Sequence, residues 1–197
     1  FLNRKYDVMV WFAWIKITNK ILKRVINLNY EVKGLNNINS KKVIYACQHQ
    51  SAWDTIIIPY LIGDCVIFHK RSLLFIPLFG WHLYKLGMII ITRNKGTNNL
   101  KKIINKAKKE VNKNRPILIF PHGTRTLPNS KNKIQSGIVI LYKYLNINVV
   151  PIKLDSGKFW GKNKFLKYPG KITVNFMKPI KPGLNPGNFR KKLEKIL

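Results

Sequence analysis

The sequence predicts an α/β fold, a mostly parallel central sheet flanked by helices, with an N-terminal amphipathic, membrane-associating helical segment ahead of it. Three observations predict this. The 197 residues are 46% apolar and 22% charged, which suits one domain with a substantial core and excludes a disordered chain. From residue 42 onward, short strand-length apolar runs alternate with segments of helical period. Runs such as Gly87 to Thr92 (GMIIIT) are apolar on both sides, as strands covered by helices on both faces are.

The elements follow in order. Residues 8–28 read as a helix, with Val10, Trp14, Ile17, Ile21, Val25 and Leu28 on one face, joined by Trp11 and Ile15. Lys16, Lys20 and Lys23 fall on the opposite side. A wide aromatic face with a basic ridge behind it is the pattern of an interfacial helix, and it equally suits a helix packed on a soluble core. The expected division is therefore a helical segment, 1–30, and an α/β domain, 31–197. Lys42 to Gln48 (KVIYACQ) is a strand. Ile56 to Gly63 is the body of a short helix, which places Pro59 near its first turn. Asp64 to His69 is a strand, and Leu73 to Leu86 is a helical stretch interrupted around Pro77 and Gly80. After the strand Gly87 to Thr92, the residues Leu100, Ile103, Ile104, Ala107 and Val111 mark an amphipathic helix that stops before Pro116. Ile117 to Phe120 (ILIF) is a strand, and Ile134, Ile138, Leu141, Tyr142 and Leu145 mark a helix. Asn148 to Leu154 and Lys171 to Phe176 are strands, and Phe189 to Leu197 closes as a basic helix.

Composition removes several function classes. Lys plus Arg is 37 against 7 Asp plus Glu, a net charge of +30. Seven carboxylates argue against a multi-carboxylate metal cage, and two cysteines exclude a disulfide scaffold or a Cys-rich zinc site. Apolar runs such as Val8 to Ile15 and Ile56 to Gly63 are eight residues, well short of the ~18 of a membrane span. The chain is expected to lie on a membrane and not to cross it. Its charge draws polyanions. Lys outnumbers Arg heavily, however, and no aromatic–basic RNA-stacking signature is present, so no specific nucleic acid is expected. The richness in Lys, Asn and Ile together also fits an AT-rich coding bias.

Three stretches carry chemistry. His49 follows the strand KVIYACQ and Asp54 opens the next element, so a turn can bring imidazole and carboxylate together, with one ring nitrogen left to act as a base. Ser51-x-x-Asp54 reads equally as a helix capping box, and both roles are compatible. Gly123, Thr124 and Arg125, just after ILIF, offer backbone N–H groups, a hydroxyl and a guanidinium suited to a phosphate. Arg93 is a second cation at a strand end. Cys47 lies on the same strand face as His49 and is a rival nucleophile, though a small buried residue is the plainer reading, as for Cys65. His69 and His82 have no acidic partner at matching spacing and read as structural.

Together these stretches resemble the membrane-associated glycerolipid acyltransferases, specifically the 1-acyl-glycerol-3-phosphate acyltransferases of the PlsC type. His49-Gln50-Ser51-Ala52-Trp53-Asp54 is similar to the family's His-x4-Asp block. Lys70-Arg71-Ser72-Leu73 with Pro77 and Gly80, then Gly87 through Arg93, resemble the second block and its approach. Phe120-Pro121-His122-Gly123-Thr124-Arg125 resembles the third, and Val149-Val150-Pro151-Ile152 the fourth, so the resemblance covers about residues 30–183 in family order. One position departs: the third block normally has Glu where this chain has His122, which leaves a tolerated variant, an altered acceptor or a weakened enzyme. The resemblance implies His49 as general base and Asp54 as the group fixing its tautomer. It implies Lys70, Arg93, His122, Gly123, Thr124 and Arg125 as acceptor-binding, with Trp81, Leu83 and Leu86 as an acyl-groove wall. It also implies a lysophospholipid acceptor, an acyl thioester donor on CoA or acyl carrier protein, no metal and no further cofactor. The implied place is the cytoplasmic face of the cell inner membrane, held as a peripheral, monotopic protein against an anionic surface. A different lipid acceptor, such as an ornithine or lipid A type substrate, and a basic nucleic-acid-binding protein are the alternatives.

Overall fold

A computed structural model describes residues 4–38, 41–76, 79–91, 97–128, 130 and 132–197. Its helices are α1 (Arg4–Ile26), α2 (Ala52–Ile62), α3 (Phe79–Lys85), α4 (Thr97–Asn112), α5 (Ser136–Leu145) and α6 (Pro186–Ile196). Its strands are β1 (Leu28–Lys33), β2 (Val43–Cys47), β3 (Val66–Lys70), β4 (Ile89–Ile91), β5 (Ile117–Ile119), β6 (Asn148–Leu154) and β7 (Gly170–Phe176). The strands form one sheet in the order β1-β7-β6-β2-β5-β3-β4. From β6 to β4 all pairings are parallel; β7 runs antiparallel to β6, and β1 parallel to β7. The expected mostly parallel α/β sheet is therefore the observed fold.

The pleat sorts side chains to the two faces. In β2, Val43, Tyr45 and Cys47 join a core with Ile15 and Leu22 of α1, Trp53, Ile57 and Ile58 of α2, and Leu83 of α3. The intervening Ile44 and Ala46 join the opposite core, with Ala107 and Val111 of α4, Ile138 and Leu141 of α5, and Phe189 and Leu193 of α6. All five β2 residues are buried, as a central strand covered on both sides requires.

Sequence and structure part at several elements. The first helix spans Arg4–Ile26, and Leu28 belongs not to it but to β1, a strand the sequence does not announce. Helix α2 starts four residues earlier than expected, held by its cap, so Pro59 sits in the helix interior and not in its first turn. The missing Pro59 N–H leaves the Thr55 carbonyl without its ladder donor. Leu83 and Leu86 are core residues, and the Leu86 carbonyl accepts from Arg115 at the N-terminal ends of the strands, so these two leucines do not wall a groove beside His49, while Trp81 is exposed. Pro77, Thr92 and Arg93 lie outside the described residues.

Helix α1 presents two faces. Asp7, Ile15 and Leu22 are buried, with Val8, Trp11, Phe12 and Ile26 packed against the core. Val10, Trp14, Ile17, Ile21 and Val25 form a stripe that is 49–76% exposed. The apolar stripe read from the sequence is thus the solvent side, and a second seam docks the helix. Among the described residues no helix is long and apolar enough to cross a membrane.

The seven carboxylates are all engaged within the molecule. Arg115, buried, donates to Asp64 (3.1 Å), Glu110 and the carbonyls of Cys65 and Leu86, and Arg4 joins the same Asp64. Asp7 binds Lys85 (3.2 Å), and Glu31 binds Lys33, Lys171 and the Thr173 hydroxyl. Asp155 accepts from the Thr173 amide (2.8 Å), and Glu194 from the Ile134 amide (3.2 Å). The seventh, Asp54, is in the site.

Candidate active site

The C-terminal ends of the parallel strands gather the chemistry, where loops of open α/β sheets converge. The amide of Gln48 extends the β2–β6 ladder by donating to the Ile152 carbonyl (2.9 Å), which fixes the next residue, His49. The chain then turns into α2, where Ser51 is the N-cap: its hydroxyl accepts from the Trp53 amide (3.2 Å), and its amide donates to Asp54 (2.8 Å). The capping box and the histidine–carboxylate pair are therefore one structure.

Asp54 is fully buried and accepts four hydrogen bonds. His49 Nδ1–H (3.0 Å) and the amides of Gln50 (2.7 Å) and Ser51 (2.8 Å) reach Oδ2, and the Ser156 hydroxyl reaches Oδ1 (2.5 Å). An acceptor meeting only donors behaves as a carboxylate, and it sets the imidazole tautomer with the proton on Nδ1. The His49 ring stacks on Phe120 (centroids 4.2 Å apart, planes 26° apart) and keeps 15% of its side-chain surface open. Its Nε2 lies on the side away from the carboxylate. Its backbone carbonyl accepts from the Thr126 amide (2.7 Å) and hydroxyl (3.2 Å), which staples the loop after β5 to the base.

In that loop Gly123 has φ +69, a left-handed conformation that glycine adopts without strain, and its amide donates to the Phe120 carbonyl. Thr124 is exposed, and Arg125 donates to the Asn163 side chain (2.9 Å). His122 is half-buried and lies on the other side of the sheet, near Glu194 of α6. Burial pushes its pKa down from 6.5, opposed by Glu194 and a backbone bond with Asn132. It lines an open cavity of about 880 Å³ with Gln48, Gln50, Lys153 and Asp155, a cavity whose lining includes neither His49 nor Asp54. Lys70 ends β3, exposed, at the same edge of the sheet as His49. Of the expected site residues, the structure joins His49 to Asp54, sets Gly123, Thr124 and Arg125 in the adjoining loop, turns His122 elsewhere, and leaves Arg93 outside the described residues.

Cys47 is wholly buried, and burial together with Asp54 pushes its thiol far up, so no thiolate forms near neutral pH. Cys65 is pushed up to about 12 by burial. Among the described residues no cluster of three His, Cys, Asp or Glu could hold a metal ion. Ser156, Gln50 and Thr126 are the site residues that sequence reasoning missed. The available signal was position, since Ser156 stands two residues past the β6 strand end.

Residues 29–155 match the family Acyltransferase. Over 161 residues the chain is 33% identical to a 1-acyl-sn-glycerol-3-phosphate acyltransferase of Pseudomonas aeruginosa, covering 82% of this chain and 63% of that protein. Over 167 residues it is 27% identical to the protein of that name from Cocos nucifera, covering 84% and 54%. The chain thus spans between half and two thirds of these relatives' lengths. The crystal structure of the 1-acyl-sn-glycerophosphate (LPA) acyltransferase PlsC from Thermotoga maritima superposes with a TM-score of 0.77 at 21% identity, covering 98% of this chain and 78% of that one.

Proposed function

The chain belongs to the acyltransferase family, and from that premise we propose that it moves a fatty acyl group from an acyl thioester to the free hydroxyl of lysophosphatidic acid, giving phosphatidic acid. One observation carries the reading: a buried, four-fold bonded carboxylate holds Nδ1 of a partly open histidine at the C-terminal end of the central strand β2. His49 Nε2 takes the hydroxyl proton as the oxygen attacks the thioester carbonyl. Asp54 stabilises the imidazolium that forms, and the tetrahedral adduct expels the thiolate, which receives the proton. General base catalysis of this kind supplies about 10²–10⁴ in rate. A thiolate leaves readily, so no covalent enzyme intermediate and no metal is required. Arg125, Lys70 and Arg93 hold the acceptor phosphate, and Gly123 and Thr124 shape its loop. The donor is acyl-CoA or acyl carrier protein.

The substrate is a lipid, and the exposed stripe of α1 gives the chain a face to lie on the bilayer, with the basic surface toward anionic headgroups at the cytoplasmic leaflet. Incubation with lysophosphatidate and each donor tests the reading. Wild type forms phosphatidate, and His49→Ala loses on the order of 10²–10⁴ in kcat/KM. A His49→Ala protein as active as wild type overturns it. A second reading, a different lipid acceptor, is favoured by one observation: His122, at the position where the resembled block has Glu, lines a cavity whose lining includes neither His49 nor Asp54. A His122→Glu protein that gains activity on lysophosphatidate at the expense of another lysolipid supports that second reading.

A further inference from the structure

Residues 157–169, the segment between β6 and β7, carry chemistry that acyl transfer does not use. With Asp155 and Ser156 they complete the connection 155–169, which holds Lys158, Lys162, Lys164 and Lys167 against a single carboxylate, Asp155, itself paired to Lys158 (3.4 Å). Phe159 and Trp160 pack back against the core on the α1 side, while Phe165, Leu166 and Tyr168 are 92%, 64% and 55% exposed. The tip is braced from within: the Lys167 ammonium sits 4.6 Å from the Trp160 ring centroid and donates to the Phe165 carbonyl (3.0 Å). The base is fixed as well. The Gly170 amide donates to the Asn27 carbonyl (3.1 Å), and a Cβ on Gly170 would lie 2.2 Å from the Phe159 ring. Asn27 directly follows α1, so the base of the segment is fastened at the C-terminal end of the helix that carries the exposed apolar stripe. The segment also touches the site at three points: Ser156 binds Asp54, the Gly157 amide binds Gln50 (3.0 Å), and Asn163 accepts from Arg125.

We propose that this segment is a second membrane contact, which seats Phe165 and Leu166 at headgroup level and sets Lys162 and Lys164 against anionic phospholipid at the mouth of the site. Both lysines are exposed, and neither forms an ion pair with a carboxylate among the described residues. Large apolar side chains ringed by lysines match a bilayer surface, where apolar burial and attraction to anionic lipid act together. A nucleic acid would gain nothing from the exposed Leu166 or from the exposed aliphatic stripe of α1. The proposal rests on the acyltransferase reading only for the meaning of the site; the contact itself is independent of it. A headgroup phosphate arriving there competes with the Asn163 side-chain Oδ1 for the Arg125 guanidinium, so engagement of the surface and loading of the acceptor share a residue.

The test uses the full chain with two double variants, Lys162→Glu/Lys164→Glu and Phe165→Ser/Leu166→Ser, each checked for native circular dichroism. Co-sedimentation is measured with vesicles of phosphatidylcholine alone and of phosphatidylcholine mixed with phosphatidylglycerol. The charge variant is expected to lose about tenfold or more in binding to the mixed vesicles at low salt while matching wild type on phosphatidylcholine. The apolar variant is expected to bind both vesicles more weakly. Wild-type binding by both variants overturns the proposal. So does a charge variant that loses binding to single-stranded RNA but keeps its binding to mixed vesicles. Acyl transfer to detergent-dispersed lysophosphatidate is read in parallel: its absence in wild type sinks the enzyme reading and leaves the vesicle result standing.

Discussion

Four hydrogen bonds converge on Asp54, and only one of them comes from the base it serves. The other three hold the carboxylate still, so its grip on His49 Nδ1 has little freedom. Asp54→Asn puts an amide among donors, which turns the imidazole to the wrong tautomer; kcat is expected to fall on the order of 10²–10⁴. Ser156→Ala removes one charge-assisted donor, and such bonds contribute about 1.5–3 kcal/mol. Ser156 is a positioning residue, so steady-state kinetics should show kcat down roughly tenfold or more with KM unchanged. A change confined to KM would assign Ser156 to substrate binding instead. Cys47→Ala is expected to keep near-wild-type kcat in the same assay, because its thiol stays protonated. His49 and Asp54 were legible because five residues and one turn join them. Ser156 was not, because it arrives from 102 positions away and a lone serine carries no signal until topology places it.

Helix α1 shows how one element can serve two environments. Ile15 and Leu22 fasten it to the sheet, and Val10, Trp14, Ile17 and Ile21 point outward. Trp14→Ser/Ile17→Ser should leave the thermal midpoint unchanged and weaken vesicle binding, since each large apolar side chain contributes about 1.5–3 kcal/mol when buried. Ile15→Ser should do the reverse, lowering the midpoint. The foot of the same helix is tied through Arg4 and Asp64 to the buried Arg115. Arg115→Ala takes one of two cationic partners from each of Asp64 and Glu110 and removes the Arg115 donor from the Cys65 and Leu86 carbonyls, and a lower urea midpoint is expected in equilibrium unfolding. The period of α1 was plain in the sequence, but which of its apolar seams faces the protein was not, since both are apolar. Strand β1 (LNYEVK) was hidden for a different reason: at the sheet edge, its one deeply buried residue is Leu28, and apolar alternation has little to show.

At the scale of the whole molecule, alternation of strands and helices was enough to read the parallel sheet, and the reversal at β7 and β1 was not readable because short apolar runs carry no direction. Three histidines outside the pair, His69, His82 and His122, have their pKa values pushed down from 6.5, chiefly by burial. Below about 6.5 the unfolded chain therefore binds more protons than the folded one, and stability falls as pH drops through that value. Thermal midpoints should decline from pH 7 toward pH 5, and His69→Phe, at a buried position with an unpartnered Nε2, should flatten the decline. The seven acids, each already occupied, have a further consequence. With +30 net charge and no idle anion to offset it, the exterior repels itself, and neutralisation falls to ions in the medium. Added salt should accordingly raise the melting temperature, the opposite of what screening does to a protein held by surface ion pairs, even as it loosens the grip on an anionic leaflet.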